Sequence, residues 1–121
     1  MPPSLDLAII IVSWNVRELL AGCLRSIQCS LAESSLQTIV WVVDNASQDG
    51  TAGMVRASFP QVRLLANTDN LGFSGGNNQA IRRALHDAPR YVLLLSPDAL
   101  VRGHALDELV AFMAATPSAG M

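Results

Sequence analysis

The chain has 121 residues, of which 50% are hydrophobic and 15% charged, with a mean hydropathy of +0.33 and a formal net charge of -2. That composition suits one globular domain; the chain is too short for two and too apolar for a disordered segment. All eight basic residues are arginine, which excludes a lysine-dependent phosphate loop or Schiff base and offers no basic surface for nucleic acid.

In chain order, Asp6 to Ser13 is a continuous Ile/Val-rich run, the pattern of a strand buried on both faces. Asn15 has the chemistry of an N-cap, and Glu18 that of its capping-box partner. The helix behind them carries Val16, Leu19, Leu20, Cys23, Leu24 and Ile27 on one stripe. Thr38 to Val43 predicts a second strand that ends at Asp44-Asn45. Asp49-Gly50 opens a short helix to about Ser58, stopped at Pro60, and Val62 to Ala66 is a shorter third strand. A polar, glycine-rich stretch from Asn67 to Asn78 runs into a helix carrying Ile81, Ala84 and Leu85. Arg90 to Leu95 is a fourth strand closed by Ser96-Pro97-Asp98, and a last helix runs from about Gly103 to Ala115. The order is βαβαβαβα. Right-handed crossovers turn that alternation into an α/β fold, a mostly parallel sheet with helices on both faces.

Neither long apolar run, Leu7 to Val12 or Tyr91 to Leu95, reaches the roughly 20 residues of a membrane span. Met1 to Asp6 lacks a basic leader region, so a cytoplasmic location is the default expectation. Cys23 and Cys29 have neither zinc nor redox spacing and read as reduced thiols packed on or near one helix. His86 and His104 have no partner at ligand spacing and fit helical surfaces. Asp107 and Glu108 read as a solvated face, and Trp14 and Trp41 as packing residues, with Trp14 beside the cleft.

An open parallel sheet binds ligands beyond the carboxyl ends of its strands. That rule selects Ser13-Trp14-Asn15, Asp44 to Asp49, Asn67 to Asn78 and Ser96-Pro97-Asp98, all rich in Asp, Asn, Ser or Gly. Helix capping is the competing explanation for Asn15, Ser47 and Asp49. Asp44 is placed to accept a hydrogen bond from a base or ribose, or else opens an Asx-turn. The glycines of Asn70 to Asn78 do not fit a dinucleotide fingerprint, which argues against a nicotinamide or flavin cofactor. They either turn the chain tightly or present backbone amides to a diphosphate. Pro97 keeps Ser96 extended, and Asp98 projects past the sheet. One carboxylate there is adequate for Mg²⁺ or Mn²⁺ once substrate phosphates complete the shell, while a helix cap is the plainer reading.

With these residues in place, the sequence resembles the N-terminal half of a family 2 glycosyltransferase. The likeness runs through Ile10 to Asn15, Val42 to Thr51, Asn70 to Asn78 and Leu94 to Asp98. It implies an inverting enzyme of the GT-A fold, whose Rossmann-like nucleotide-sugar-binding half would be residues 1–121. By resemblance, Ser13 and Asn15 line the nucleotide pocket and Asp44 receives the imino proton of a pyrimidine. Asn70, Gly72 and Asn78 shape the loop near the sugar diphosphate. Ser96 takes the first and Asp98 the last position of the metal motif, for a divalent Mg or Mn. Gly-Gly-Asn-Asn at 75–78 resembles the rhamnosyltransferase-like branch and implies dTDP-rhamnose or a UDP-sugar as donor. A glycan or lipid-linked acceptor is implied, possible only with a catalytic base expected beyond residue 121. The full-length protein would then work in the cytoplasm or at the cytoplasmic membrane face. The chain by itself should bind donor without turnover and self-associate through an uncovered apolar face or strand edge. A non-enzymatic nucleotide-binding or assembly module is the alternative. A phospho-acceptor receiver domain fails on the missing lysine and on Trp14-Asn15 standing at the acidic pair.

Overall fold

A computed structural model describes residues 5–116. Its elements are β1 (Leu7–Ser13), α1 (Arg17–Leu31), β2 (Thr38–Asn45), α2 (Thr51–Ser58), β3 (Arg63–Asn67), α3 (Gly72–Leu85), β4 (Tyr91–Leu95) and α4 (Ala105–Ala115). The alternation predicted from the sequence is therefore present. The four strands form one parallel sheet in the order β3-β2-β1-β4. β1 is flanked on both sides, and all seven of its residues are buried, as its unbroken apolar run requires.

The period of two along each strand divides the core. Leu7, Ile9 and Ile11 of β1 and Val42 of β2 pack with α1, α2 and α4 through Leu20, Leu24, Ile27, Val55, Phe59, Leu106 and Val110. Ala8, Ile10, Val12, Trp41 and Val43 point the other way, where α3 covers them with Ala80 and Ala84. Both faces carry helices, but unequally. The register sets Val92 beside Ala8 and Leu94 beside Ile10, on the face with the single helix. There they remain 37% and 47% exposed, on an edge strand.

Several local readings change. Helix α3 begins at Gly72, so residues 72–78 are helical and only Thr68 to Leu71 connect β3 to α3. The glycines there serve close packing. A Cβ at Gly76 would lie 2.9 Å from Val12 Cγ1 and 3.3 Å from Asn45 Nδ2, so α3 can approach the sheet only without one. Leu19 and Leu85 sit on exposed helix faces, at 54% and 59%, and do not join the apolar stripes. Cys23 is buried while Cys29 is exposed on the other side of α1, so only one of the two thiols packs inside. Trp41 is buried under the Arg63 guanidinium, 5.6 Å from its ring centre, but Trp14 is 56% exposed rather than packed. Asp107 is half-buried and accepts a hydrogen bond from Ser34, so it is not a simple solvated residue.

Candidate functional site

The parallel register brings the predicted loops to one end of the sheet. Ser13 ends β1 directly beside Asp44 on β2, and Asn45 lies beside Asn67 on β3. On the other flank of β1, Ile11 pairs with Leu95, and Ser96-Pro97-Asp98 follows at once. Asp44 and Asp98 thus leave the sheet on either side of β1, two strand spacings or about 10 Å apart in sheet width. Between them Ser13 Oγ is buried and, among the described residues, has no hydrogen-bond partner.

The β1–α1 and β2–α2 loops are fastened to each other. Asn15 N donates to Ser47 Oγ (2.9 Å), and Gln48 N donates to Asn15 Oδ1 (2.8 Å). Arg17 N donates to Asp49 Oδ2 (3.0 Å), and the Arg17 guanidinium reaches the Asp49 carbonyl (3.1 Å). Asn15 is therefore not the cap of α1. Val16 holds that position without a side-chain bond, and the acceptor for the first-turn amide comes from Asp49, 32 residues on. Glu18 forms an ion pair with Arg17 (3.1 Å) instead of closing a capping box. Asp49 Oδ1 also accepts from Thr51 N and Thr51 Oγ1, so one carboxylate caps two helices. A concavity of about 380 Å³ opens between Asn15, Arg17 and Asp49.

The backbone of this junction is unusual. Asn15 (φ 51°) and Ala46 (φ 64°) adopt left-handed conformations without being glycine. For alanine this costs roughly 1–2 kcal/mol. Asp44 Oδ1 accepts from Ser47 N (3.2 Å) and closes the turn over Ala46. Asp44 thus opens the loop, as the turn reading expects, but through an amide three residues on rather than the two of an Asx-turn, and the side chain is almost fully buried.

The Thr51 hydroxyl, followed by the backbone amides, holds the Asp49 carboxyl below its usual range. A depressed folded-state pKa adds stability that is complete above the unfolded value of about 4 and is lost below it, as pH falls through the lower folded-state value. Asp49→Ala is expected to lower stability by about 1–2 kcal/mol at pH 7, the cost of a lost cap. Thermal melts from pH 7 to pH 3 check this: the gap between variant and parent should narrow in the acid range.

Asn45 organises the third loop. Its Nδ2 donates to Gly72 O (3.0 Å), and its Oδ1 accepts from Asn67 Nδ2 (3.1 Å) and Leu71 N (3.4 Å). Asn67 and Gln79 exchange two further amide bonds of 2.9 Å each. Asn70 Oδ1 accepts from Gly72 N (2.8 Å) and starts α3. Asn70 and Gly72 therefore belong to the mouth. Asn78 lies on α3 next to the buried Asn77, about 9 Å along the helix axis from Gly72. It is a helix residue, not a loop residue.

Asp98 is exposed, and its Oδ1 accepts a hydrogen bond from Ser96 Oγ. Behind it, the Cys23 thiol lies 3.8 Å from the Ser96 carbonyl. Burial pushes that thiol up to about 11, and the negative charge of Asp98 adds in the same direction. Among the described residues, no group of three or more His, Cys, Asp or Glu side chains could hold a metal without help. His104 instead pairs with Asp107 at 3.4 Å, and His86 is exposed. Asn45, Ser47 and Asp49 lie in a loop that the sequence selects, with Ser47 and Asp49 read there as caps, but Arg17 and the bonds these residues make across to Asn15, Arg17 and the start of α3 were not foreseen. The only available signal was the density of short polar side chains after β2.

The family pattern of glycosyl transferase family 2 matches residues 8–121. The succinoglycan biosynthesis protein ExoO of Rhizobium meliloti (strain 1021) is 30% identical over 114 residues, 90% of this chain and 31% of ExoO. The mannosyltransferase PcManGT from Pyrobaculum calidifontis, solved with GDP-Man and Mn²⁺, superposes with a TM-score of 0.69 at 26% identity. That match covers 89% of this chain and 31% of PcManGT. S. aureus TarS 1–349 in complex with UDP superposes at 0.77 with 21% identity, over 91% of this chain and 32% of its own. The chain spans about a third of the length of each of these proteins. The parallel four-stranded sheet and its helices are those of the GT-A glycosyltransferases, and the chain belongs to glycosyl transferase family 2.

Proposed function

We propose that this chain binds the nucleotide-sugar donor of an inverting sugar transfer to an acceptor hydroxyl. The observation that carries this reading is the pair of carboxylates, Asp44 and Asp98, leaving the sheet on either side of β1. Their separation suits a nucleoside diphosphate laid across the mouth, with the base at β2 and the diphosphate at β4. Asp44 accepts the imino N–H of a pyrimidine, Ser13 and Asn15 line the base and ribose, and Asn70 and Gly72 border the sugar diphosphate. Ser13 supports its part, because a buried hydroxyl without a partner is costly and a ligand beside it relieves that cost.

Asp98 fits Mg²⁺ or Mn²⁺. Its donors are hard oxygens on an exposed turn, and a single carboxylate suffices where phosphates and water fill the remaining positions. When bound, the ion neutralises the charge of the departing nucleoside diphosphate. Ser96 holds one oxygen of Asp98 and so fixes which way the carboxylate faces. Asn78 contributes through α3 rather than through the loop.

The donor is dTDP-rhamnose or a UDP-sugar, supported by Gly-Gly-Asn-Asn at 75–78 and by the UDP of the TarS structure. The acceptor is a glycan or a lipid-linked glycan, in line with the name of ExoO, and the work is polysaccharide biosynthesis on the cytoplasmic side of the membrane. Among the described residues no helix is long and apolar enough to cross a membrane. The base that takes the acceptor proton belongs to the part of its relatives' length that this chain does not span, so the chain alone binds without turnover. Calorimetric titration with dTDP, UDP and GDP, each with and without Mn²⁺, tests the reading. Heat with dTDP or UDP that depends on Mn²⁺ is expected; no heat with any of the three removes the proposal.

The edge strand β4, with Val92 and Leu94 partly exposed, is also expected to drive self-association, because an apolar edge offers unpaired backbone groups to a second copy. Sedimentation at about 100 μM should show species larger than the monomer, a concentration at which even a modest interface is populated. Leu94→Lys should shift the chain toward monomer.

A further inference from the structure

Nine residues, Ser96 to His104, separate β4 from α4 without regular structure, and they carry Asp98. Within this segment and at its junction with α4 the bonds are local: Ser96 Oγ to Asp98 Oδ1, and Ala99 N to Ser96 O and Ala105 N to Arg102 O, the latter two both 3.1 Å. Among the described residues, the segment's far end bonds to α4 through His104, to Asp107 and Glu108, and its other outside bonds run to one face of α1. Cys23 Sγ meets Ser96 O, Ser26 Oγ accepts from Val101 N (2.9 Å), and Ser30 Oγ donates to Gly103 O (2.8 Å). Positions 23, 26 and 30 follow the helical repeat, so the three contacts lie in a row.

Ser26 is committed in a specific sense. Its hydroxyl proton goes to Cys23 O on its own helix (2.6 Å), which leaves Oγ as an acceptor aimed at Val101. Ser30 is buried and uses its proton on Gly103, whose φ of 53° makes that turn. The two bonds hold the backbone three and five residues beyond Asp98, while Cys23 holds Ser96 on the other side. The carboxylate itself stays in solvent.

We propose that Ser26 and Ser30 are positioning residues for Asp98, fixing the β4–α4 segment so that the carboxylate meets a diphosphate-bound divalent ion at one place on the mouth. The inference rests on the reading of Asp98 given above. Residues that orient a metal-binding group without touching the ion are worth about 10- to 100-fold in metal affinity.

The test is calorimetric titration of the chain with UDP and with dTDP, each with and without Mn²⁺, alongside thermal melts. Ser26→Ala and Ser30→Ala should each weaken the Mn²⁺-dependent binding about 10-fold, and leave metal-free nucleotide binding within about twofold. Ser26→Thr keeps the hydroxyl and should return the Mn²⁺-dependent affinity to the parent value. Equal weakening with and without Mn²⁺, or a lower melting temperature with unchanged Mn²⁺ dependence, overturns the positioning role and leaves only a structural one. Asp98→Ala separates the two levels of failure. If it leaves Mn²⁺ dependence intact, or if the parent chain gives no heat at all, the reading of Asp98 falls and takes this inference with it. If Asp98→Ala removes the dependence but both serine variants keep it, the tether alone is refuted.

Discussion

Asp98→Ala in the full-length protein is expected to lower sugar transfer by about 100-fold or more, because loss of a group that stabilises leaving-group charge costs several kcal/mol. In the isolated chain the same substitution should abolish the Mn²⁺ dependence of nucleotide binding. Folding should be little affected. Asp98 is exposed, and its side-chain bond is to a neighbour in the same turn, so a melting temperature close to the parent value accompanies the loss. Asp98→Asn is the sharper variant, since it keeps the shape and a hydrogen-bonding oxygen and removes the charge. A transfer rate within about twofold of the parent for Asp98→Ala would remove Asp98 from the mechanism, given the size of effect expected of such a group. Asp44 should behave differently. Asp44→Ala is expected to weaken nucleotide binding with or without metal, because the part proposed for it is at the base and because it also closes the turn over Ala46.

Asn45→Leu is expected to be the most destabilising substitution at the mouth, at about 2–4 kcal/mol. The side chain is fully buried and bonds to Gly72 O, Asn67 Nδ2 and Leu71 N. Leucine fills a similar volume but loses all three bonds, each worth about 0.5–1.5 kcal/mol; Leu71 N and Gly72 O, on exposed residues, turn to water, and Asn67 Nδ2 keeps its bond to Gln79. For a chain of this size the melting temperature should fall by roughly 10–20 °C. The same change frees the start of α3, so donor binding should weaken even at temperatures where the variant is folded. Thermal melts followed by titration at low temperature check both parts. A variant that melts like its parent would mean that the amide network around Asn45 is replaced by water at no cost.

The strands were legible because each buried strand is an uninterrupted apolar run bounded by polar punctuation, as at Leu7 to Ser13 and Thr38 to Val43. The mouth was legible for a related reason: short polar side chains have little use inside a buried parallel sheet, and they gather where its strands end. What failed was the local reading of residues whose partners lie far away. Glycines at 72–76 suggest a loop by propensity, yet the close approach of Gly76 to Val12 makes them part of a helix. Asn15 has the chemistry of a cap, but its oxygen goes to Gln48 and the cap comes from Asp49. Neither bond has any signature within a window of a few residues. Asn45 looks like one more loop asparagine, and only the stacking of three chain segments over it makes it a hub. Leu19 and Leu85 are apolar at positions that face solvent, which no periodicity argument separates from their buried neighbours.

The central place of β1 has a consequence for how the protein is made. This strand is synthesised first, but one of its neighbours, β4, pairs with it only through residues such as Tyr91, opposite Leu7. At translation rates of about 5–20 residues per second, the greasiest segment of the chain waits several seconds on the ribosome before its last partner emerges. During that interval a half-formed sheet of β1, β2 and β3 exposes the flank that β4 will fill, and nascent chains stalled before residue 91 should be held by chaperones rather than released.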